Sequence, residues 1–95
     1  MTYELEFKKS ALKEWNKLGA TVKEHFKKKL AAVLENPKIK SAKLSGANEL
    51  YKIKLRQAGY RLVYEVNDEI VTVTVISVGK RERGAAYKKA MKRAN

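Results

Sequence analysis

Basic side chains alternate with apolar ones near the middle of the chain, in a pattern that could bind or cleave a phosphodiester. Successive side chains of an extended strand point to opposite faces. Tyr51, Ile53 and Leu55 therefore lie on one face, and three cations lie on the other, namely Lys52, Lys54 and Arg56. Cations gathered on one face can hold phosphate oxygens and stabilise the charge that develops as a phosphodiester is cleaved.

A second extended segment adds a cation to the same face. In residues 60–66, Leu62, Tyr64 and Val66 share one face, and Arg61 lies on the opposite face with Val63 and Glu65. If the apolar faces of both strands coincide, Lys54 lies directly across from Arg61. Like charges in this position destabilise a sheet, so we interpret the pair as a phosphate site in which the anion relieves the repulsion. The alternative is an edge-protected solvent face, where lysine is common. We favour the phosphate site because we expect these strands to be central.

The chain offers few other groups for catalysis. It has no cysteine, no paired-carboxylate signal and no metal-ligand cluster, so we expect no metal and no cofactor. His25 is the only histidine, and it lies beside the apolar stripe of a predicted helix, where a structural or solvated role is expected. A site made of lysine and arginine can still promote attack of a 2′-OH on the adjacent phosphate, through positioning and charge stabilisation. A lysine crowded by other cations could also act as a general base.

The charge balance indicates an acidic partner. Lys and Arg number 22 against 10 Asp and Glu, which gives a net charge of +12 in 95 residues. Such an excess is typical of proteins that bind polyanions, and RNA is the polymer we favour over a membrane surface, an acidic protein or plain solvation. The N-terminus resembles no signal peptide, and no apolar run is long enough to span a bilayer. We therefore expect a cytoplasmic protein.

The remaining pattern predicts one α+β domain over residues 1–95. A short strand at Tyr3 to Phe7 is followed by two helices, the first stopped by Gly19 and the second opened by a capping box at residues 21–24. The short link makes the helices an antiparallel hairpin. Three strands follow, at residues 50–56, 60–66 and 70–78, and a helix with a weakly anchored alanine face covers residues 82–94. The order β-α-α-β-β-β-α predicts an antiparallel sheet packed by the N-terminal hairpin, with a C-terminal helix.

The last strand and last helix add two candidate side chains. The strand ends in Gly79-Lys80-Arg81, which can deliver Arg81 to one end of the basic face. Tyr87 follows in the predicted helix, where it could either stack on a base or pack against the sheet. The pattern alone leaves both roles of Tyr87 open.

Four segments carry a resemblance to a known family: residues 11–19 (ALKEWNKLG), 50–56 (LYKIKLR), 59–64 (GYRLVY) and 75–82 (VISVGKRE). They strongly resemble the RelE toxins of bacterial toxin–antitoxin pairs, and the likeness spans nearly the whole chain. It implies a microbial-ribonuclease-like fold and cleavage of mRNA in the ribosomal A site, which inhibits translation. It also implies two partners, a RelB-type antitoxin and the ribosome with its 16S rRNA.

The resemblance also implies roles for individual residues. Lys52 would be the general base or its electrostatic substitute, Lys54 and Arg61 would hold the scissile phosphate, Arg81 would serve the leaving group, and Tyr87 would stack on the mRNA. Further contacts to RNA or the ribosome would come from Lys43, Arg56, Lys80 and Arg83. Ser45 departs from the pattern, because related toxins often carry a basic residue in this loop, and Lys43 is a possible substitute.

Two other functions stay open at this point. The chain could be a non-catalytic module that binds rRNA or DNA, or a gyrase-poisoning toxin of the related ParE type, which shares the fold. The combination of the five catalytic candidates favours the ribosome-dependent endoribonuclease over both.

Overall fold

The computed structural model describes residues 2–44, 49–80 and 92–93. Strand β1 (Glu4–Phe7) is followed by helices α1 (Lys9–Asn16) and α2 (Ala20–Glu35), and a short 3-10 helix lies at Lys40–Ala42. Strands β2 (Leu50–Leu55), β3 (Tyr60–Asn67) and β4 (Thr72–Lys80) complete the described order. The predicted α+β class is confirmed. Most of the predicted C-terminal helix lies outside the described residues. Residues 92 and 93, which are described, are helical.

The four strands form one mixed sheet in the order β1-β4-β3-β2. The meander β2-β3-β4 is antiparallel as predicted, but β1 pairs with β4 in parallel, so the prediction of an antiparallel sheet is wrong at β1. The path of α2 explains the difference. This helix returns the chain to the start of β1, where the Tyr3 amide donates to the Leu34 carbonyl at 2.9 Å. Strand β2 begins at the same end of the sheet as β1. The turn after β2 reverses the chain and the turn after β3 reverses it again, so β4 runs in the same direction as β1.

The helix boundaries differ from the prediction at the link between α1 and α2. Gly19, predicted to stop the first helix, is the extended N-cap residue of α2, and no side chain caps that end. Thr21 lies inside the helix, so the predicted capping box is wrong. The Lys23 amide already donates to the Gly19 carbonyl at 3.0 Å, so the helix starts earlier than predicted, with Gly19 instead of Thr21 as its N-cap residue.

The start of β4 also differs from the prediction. The sequence pattern places Ile70 and Val71 in the strand, but both belong to the turn after β3. Val71 has a φ of 50°, a conformation that β-branched residues rarely adopt, and Ile70 is 61% exposed. Strand β4 therefore begins at Thr72 and extends to Lys80, two residues beyond the predicted end.

One hydrophobic core lies between the helices and one face of the sheet. Trp15 of α1 packs between Phe7 and Phe26, with ring centroids 5.3 and 6.1 Å away. On the sheet, Tyr64 is fully buried and stacks on Tyr51. The Tyr64 hydroxyl donates to the Pro37 carbonyl at 2.9 Å, and burial raises the pKa of this phenol. The core thus holds the apolar face of β2 and β3 inward and leaves their basic side chains on the other face.

A polar cluster joins four segments at the end of the sheet where β1 begins. The Tyr3 hydroxyl donates to Asp68 at 2.7 Å, and the Lys38 ammonium forms an ion pair with the same carboxylate. Glu49 lies 3.5 Å from the Lys38 nitrogen. The hydrogen bond from Lys38, followed by that from Tyr3, lowers the pKa of Asp68.

Because the pKa of Asp68 is lower in the folded state, its ion pair stabilises the fold above the unfolded pKa of about 3.9. That contribution is lost as the pH falls through the folded pKa. We therefore expect Asp68→Asn to lower the melting temperature at pH 7 and to have a smaller effect at pH 3. Thermal unfolding followed by circular dichroism at both pH values measures this. Glu69→Gln, which removes the same charge from the same turn, is the control; an equal loss in both variants, or a loss independent of pH, would contradict the assignment.

Candidate functional site

The predicted pairing of cations across β2 and β3 is confirmed. Lys54 lies opposite Arg61, and Lys52 lies opposite Val63, with the pair Ile53–Leu62 between them in the ladder. Lys54 is exposed, while Lys52 and Arg61 are half-buried. Side chains of both strands that belong to the core alternate with the three cations, which therefore share the opposite face with the buried Val63. These core residues are Tyr51, Ile53 and Leu55 of β2 and Leu62, Tyr64 and Val66 of β3.

The expectation that both strands are central is wrong for β2, which is an edge strand of the described sheet. Strand β1 forms one edge of this sheet, beside β4, and β2 forms the opposite edge. Within the described sheet, β2 therefore pairs with β3 alone. Lys43 forms a single bridge to Tyr51, and the Leu44 amide donates to the Leu50 carbonyl at 2.9 Å, so this edge is covered near its start. Arg61 belongs to an interior strand, whereas Lys54 belongs to the edge strand of the described sheet.

The end of β4 lies beside this pair. Gly79 is the partner of Arg61 in the β3–β4 ladder, and its lack of a side chain leaves space next to the guanidinium. Lys80 pairs with Tyr60, and Tyr60 pairs with Leu55 on its other side. Residues paired in this way point to the same face of the sheet, and Leu55 and Tyr60 pack on the core side. The structure therefore does not bring Lys80 onto the face of Lys54 and Arg61. Arg81, Arg83, Tyr87 and Ser45 lie outside the described residues, and their roles remain predictions.

A cavity of about 310 Å³ opens at the hairpin that joins β2 and β3. Its lining contains three cations and no carboxylate, and consists of Lys54, Leu55, Arg56, Gly59, Tyr60 and Arg61. Strand β2 ends at Leu55, one residue before the predicted end, and Gly59 has a φ of 70°. Its amide donates to the Leu55 carbonyl at 2.9 Å. This turn, which glycine adopts readily, brings Arg56 to the same cavity as Lys54 and Arg61.

Sequence reasoning missed a polar contact between α1, β4 and Arg93. Glu14 of α1 accepts hydrogen bonds from the Val78 amide at 3.2 Å and from the Arg93 guanidinium at 2.9 Å. Arg93 also donates to the Ile76 carbonyl at 2.9 Å, and the Lys8 ammonium donates to the Arg93 carbonyl at 2.9 Å. Arg93, in the segment predicted to form the C-terminal helix, is thus held against α1 and β4 by polar contacts. Glu14 and Arg93 are 79 positions apart in sequence, and no local pattern signals such a pair.

Two searches of the described residues bear on the nature of the site. Across residues 2–44, 49–80 and 92–93, no group of three or more His, Cys, Asp or Glu is placed to hold a metal ion. No helix within those ranges is long and apolar enough to cross a membrane.

Comparison with known proteins supports the resemblance seen in the motifs. The profile of the family described as ParE toxin of type II toxin-antitoxin system, parDE, matches residues 5–84. The mRNA interferase toxin RelE of Escherichia coli strain K12 is 61% identical over 93 residues, which cover 98% of each chain. The chain belongs to the RelE/ParE family of toxins.

Solved structures of this family agree with the fold. The free E. coli RelE toxin, in a doubly substituted form, superimposes with a TM-score of 0.92 at 58% identity, and each chain is covered completely. The toxin in the intact E. coli RelBE toxin–antitoxin complex gives a TM-score of 0.82 at 63% identity, over 85% of this chain and 99% of that one. Within the RelE/ParE family, the chain is therefore similar to RelE over its full length, as the motifs indicated.

Proposed function

We propose that this protein is the toxin of a type II toxin–antitoxin pair and an endoribonuclease that cleaves mRNA in the ribosomal A site. The observation that carries the proposal is the Lys54–Arg61 pair across two neighbouring strands, with Lys52 on the same face. A purely structural sheet gains nothing from like charges in this position. A phosphodiester bound between them gains a hydrogen-bond donor and a positive charge from each side.

The reaction supported by this site is an internal transfer followed by release of the downstream RNA. The 2′-oxygen attacks the adjacent phosphorus as the bond from phosphorus to the 5′-oxygen breaks, and the upstream fragment ends in a 2′,3′-cyclic phosphate. The proton of the 2′-OH leaves towards Lys52 or solvent, and the 5′-oxygen gains a proton as it departs. Arg81, at the end of the last strand in sequence, is the proposed charge partner of that oxygen.

Lys54 and Arg61 stabilise the transition state in this proposal. The phosphorane carries more charge on its non-bridging oxygens than the ground state, and donors already fixed towards that charge lower the barrier. Arg61 is suited to this task, because its planar guanidinium can bind two phosphate oxygens at once. Its position on an interior strand, with Gly79 beside it, holds the base of the side chain while leaving room for the phosphate.

The proposed partners follow from the same surface. A RelB-type antitoxin would cover the basic face, in keeping with the RelBE complex formed by the E. coli relative. The mRNA would lie on the Lys52–Arg61 face, with Tyr87 stacked on a base. Ribosomal 16S rRNA would contact further cations outside this face, with Lys43, Arg56, Lys80 and Arg83 as candidates. Residues 1–95 are proposed to act as a single domain.

The family profile raises one alternative, a gyrase poison of the ParE type. The identity of 61% to RelE, together with Lys52, Lys54 and Arg61 on one face, favours mRNA cleavage. Primer extension on mRNA in programmed ribosomes, run beside a gyrase-dependent DNA-cleavage assay, distinguishes the two. We expect cuts within the A-site codon and intact DNA. DNA breaks without mRNA cuts would support the ParE type, and ribosome binding without cuts would support a non-catalytic module.

A further inference from the structure

The last part of β4, which borders the candidate site, has no described strand beside it on the side of β1. Strand β1 ends at Phe7, the partner of Val75, and the Lys8 amide then donates to the Val75 carbonyl at 3.0 Å. Strand β4 continues to Lys80. Beyond Val75, the described sheet therefore gives β4 a neighbour only in β3. Backbone groups on the other side need partners from elsewhere, because buried backbone groups are costly to leave unpaired.

Two side chains take the place of a strand on this side of β4. The Val78 amide donates to Glu14 Oε1 at 3.2 Å, and the Ile76 carbonyl accepts from the Arg93 guanidinium at 2.9 Å. The same guanidinium nitrogen donates to the same Oε1 at 2.9 Å, so the two side chains are joined to each other as well as to the strand. One carboxylate and one guanidinium thus offer an acceptor and a donor, as a paired strand does. We call this pair the Glu14–Arg93 anchor.

The anchor lies where the pairing of β4 is irregular. Val63 pairs with Ser77 and Tyr64 pairs with Val75, so Ile76 is the extra residue of a β-bulge. A bulge of this kind changes which side chains face each side of the sheet beyond it. The Ile76 carbonyl is one of the two backbone groups that the anchor holds. The anchor therefore fixes the bulge from the side away from β3.

The bulge decides which residue of β4 lies beside Arg61. Val75 and Val78 both join the core, although a regular strand points side chains an odd number of positions apart to opposite faces. Because the alternation shifts at the bulge, Gly79 is the partner of Arg61. A regular ladder continued from the pair of Tyr64 and Val75 would place Val78 there instead. A valine side chain would then fill the space that Gly79 leaves next to the guanidinium.

We propose that Glu14 is a positioning residue for mRNA cleavage, although it lies on α1 and not among the proposed phosphate-binding side chains. Together with Arg93, it holds the bulge and so keeps Gly79 beside Arg61. The same end of β4 leads in sequence to Arg81, which lies outside the described residues and whose proposed role depends on where the strand delivers it. The inference rests on the proposed function, because it adds a residue to that same reaction.

A positioning role for Glu14 has a signature that differs from an effect of charge. Removing a carboxylate from a basic protein makes the binding of RNA equal or tighter, because the positive charge of the protein rises. Loss of alignment instead lowers the rate in the bound complex, since a misplacement of about 1 Å can cost about 10²-fold. The rate at saturation and the concentration needed for saturation therefore have to be measured separately.

The test follows single-turnover cleavage of mRNA in programmed ribosomes over a range of toxin concentrations, with the full chain. We expect Glu14→Ala to lower the rate at saturation by about 10–10²-fold and to change the half-saturating concentration by less than about twofold. Glu14→Gln, which keeps an acceptor for the Val78 amide, should recover part of the rate. Urea denaturation shows first that each variant is folded under the assay conditions. If Glu14→Ala does not fold, Glu14→Gln is compared with the unmodified chain, and a smaller loss at saturation is expected.

Asp68→Asn is the matched control, because it also removes a hydrogen-bonded carboxylate, but at the opposite end of the sheet. It should cleave at the unmodified rate. Equal losses in Asp68→Asn and in the Glu14 variant would overturn the inference, because lower stability would then explain both. An unchanged rate in the folded Glu14 variant, or a loss that higher toxin concentration restores, would also overturn it. Absence of cleavage by the unmodified chain would instead contradict the proposed function, and the inference would fail with it.

Discussion

Replacing Arg61 with alanine is expected to lower the rate of mRNA cleavage on the ribosome by about 10²–10³-fold, the usual effect of removing one donor that stabilises a transition state. Arg61 lies opposite Lys54 and next to Gly79, at the centre of the basic face. No other described arginine occupies an interior strand of the sheet. Single-turnover cleavage at saturating toxin measures the effect, because it isolates the chemical step from binding.

Two further variants show what the guanidinium contributes. Arg61→Lys keeps the charge but loses the planar pair of donors, so we expect an intermediate rate. Lys13→Ala, an exposed position on α1, is the control and should cleave at the unmodified rate. Unchanged cleavage by Arg61→Ala, or a loss that higher toxin concentration restores completely, would show that Arg61 only contributes to binding.

Replacing Glu14 with alanine is expected to lower the free energy of unfolding by about 1–3 kcal/mol, the range for leaving buried polar groups without partners. The carboxylate accepts from both the Val78 amide and the Arg93 guanidinium. The Glu14 and Arg93 side chains are only 18% and 24% exposed, so water replaces these bonds incompletely. Urea denaturation measures the change.

The control for Glu14 is the exposed ion pair of the next helix. Glu24 lies 3.4 Å from Lys27, with both side chains about 60% exposed, so Glu24→Ala should cost less than about 0.5 kcal/mol. Glu14→Gln keeps an acceptor for the Val78 amide and should be intermediate. In a double-mutant cycle, Glu14→Ala and Arg93→Ala should couple by about 1 kcal/mol or more. Equal effects of Glu14→Ala and Glu24→Ala would contradict the role assigned to this anchor.

The register between β2 and β3 was predictable from the sequence. Apolar and basic side chains alternate along β2, so once one face is buried a shift by one residue is unfavourable. Moving β2 by one residue against β3 would expose Tyr51 and Ile53 and bury Lys52 and Lys54. The local pattern therefore predicts that Lys54 pairs with Arg61 across the two strands, as the structure shows. The turn conformation at Gly59 supports the same register.

The order of the strands was not predictable in the same way. It depends on where β1 docks, and this is decided by the path of α2 and the contact of Tyr3 with Leu34. The alternation of β1 is equally consistent with either edge of the sheet. The Glu14–Arg93 pair has no local signature at all, since charged residues at helical positions are ordinarily solvated. Distant contacts of this kind need the assembled fold.

The most direct test of the proposed function compares one mRNA in two states, bound in programmed ribosomes and free in solution. The described site has cations that can hold and stabilise a phosphate but no histidine pair to move protons, so the ribosome must supply the alignment of the 2′-OH. We predict cleavage within the A-site codon, a 2′,3′-cyclic phosphate or 3′-phosphate on the upstream product, and slow cleavage of the free mRNA. Equally fast cleavage of the free mRNA would contradict this account.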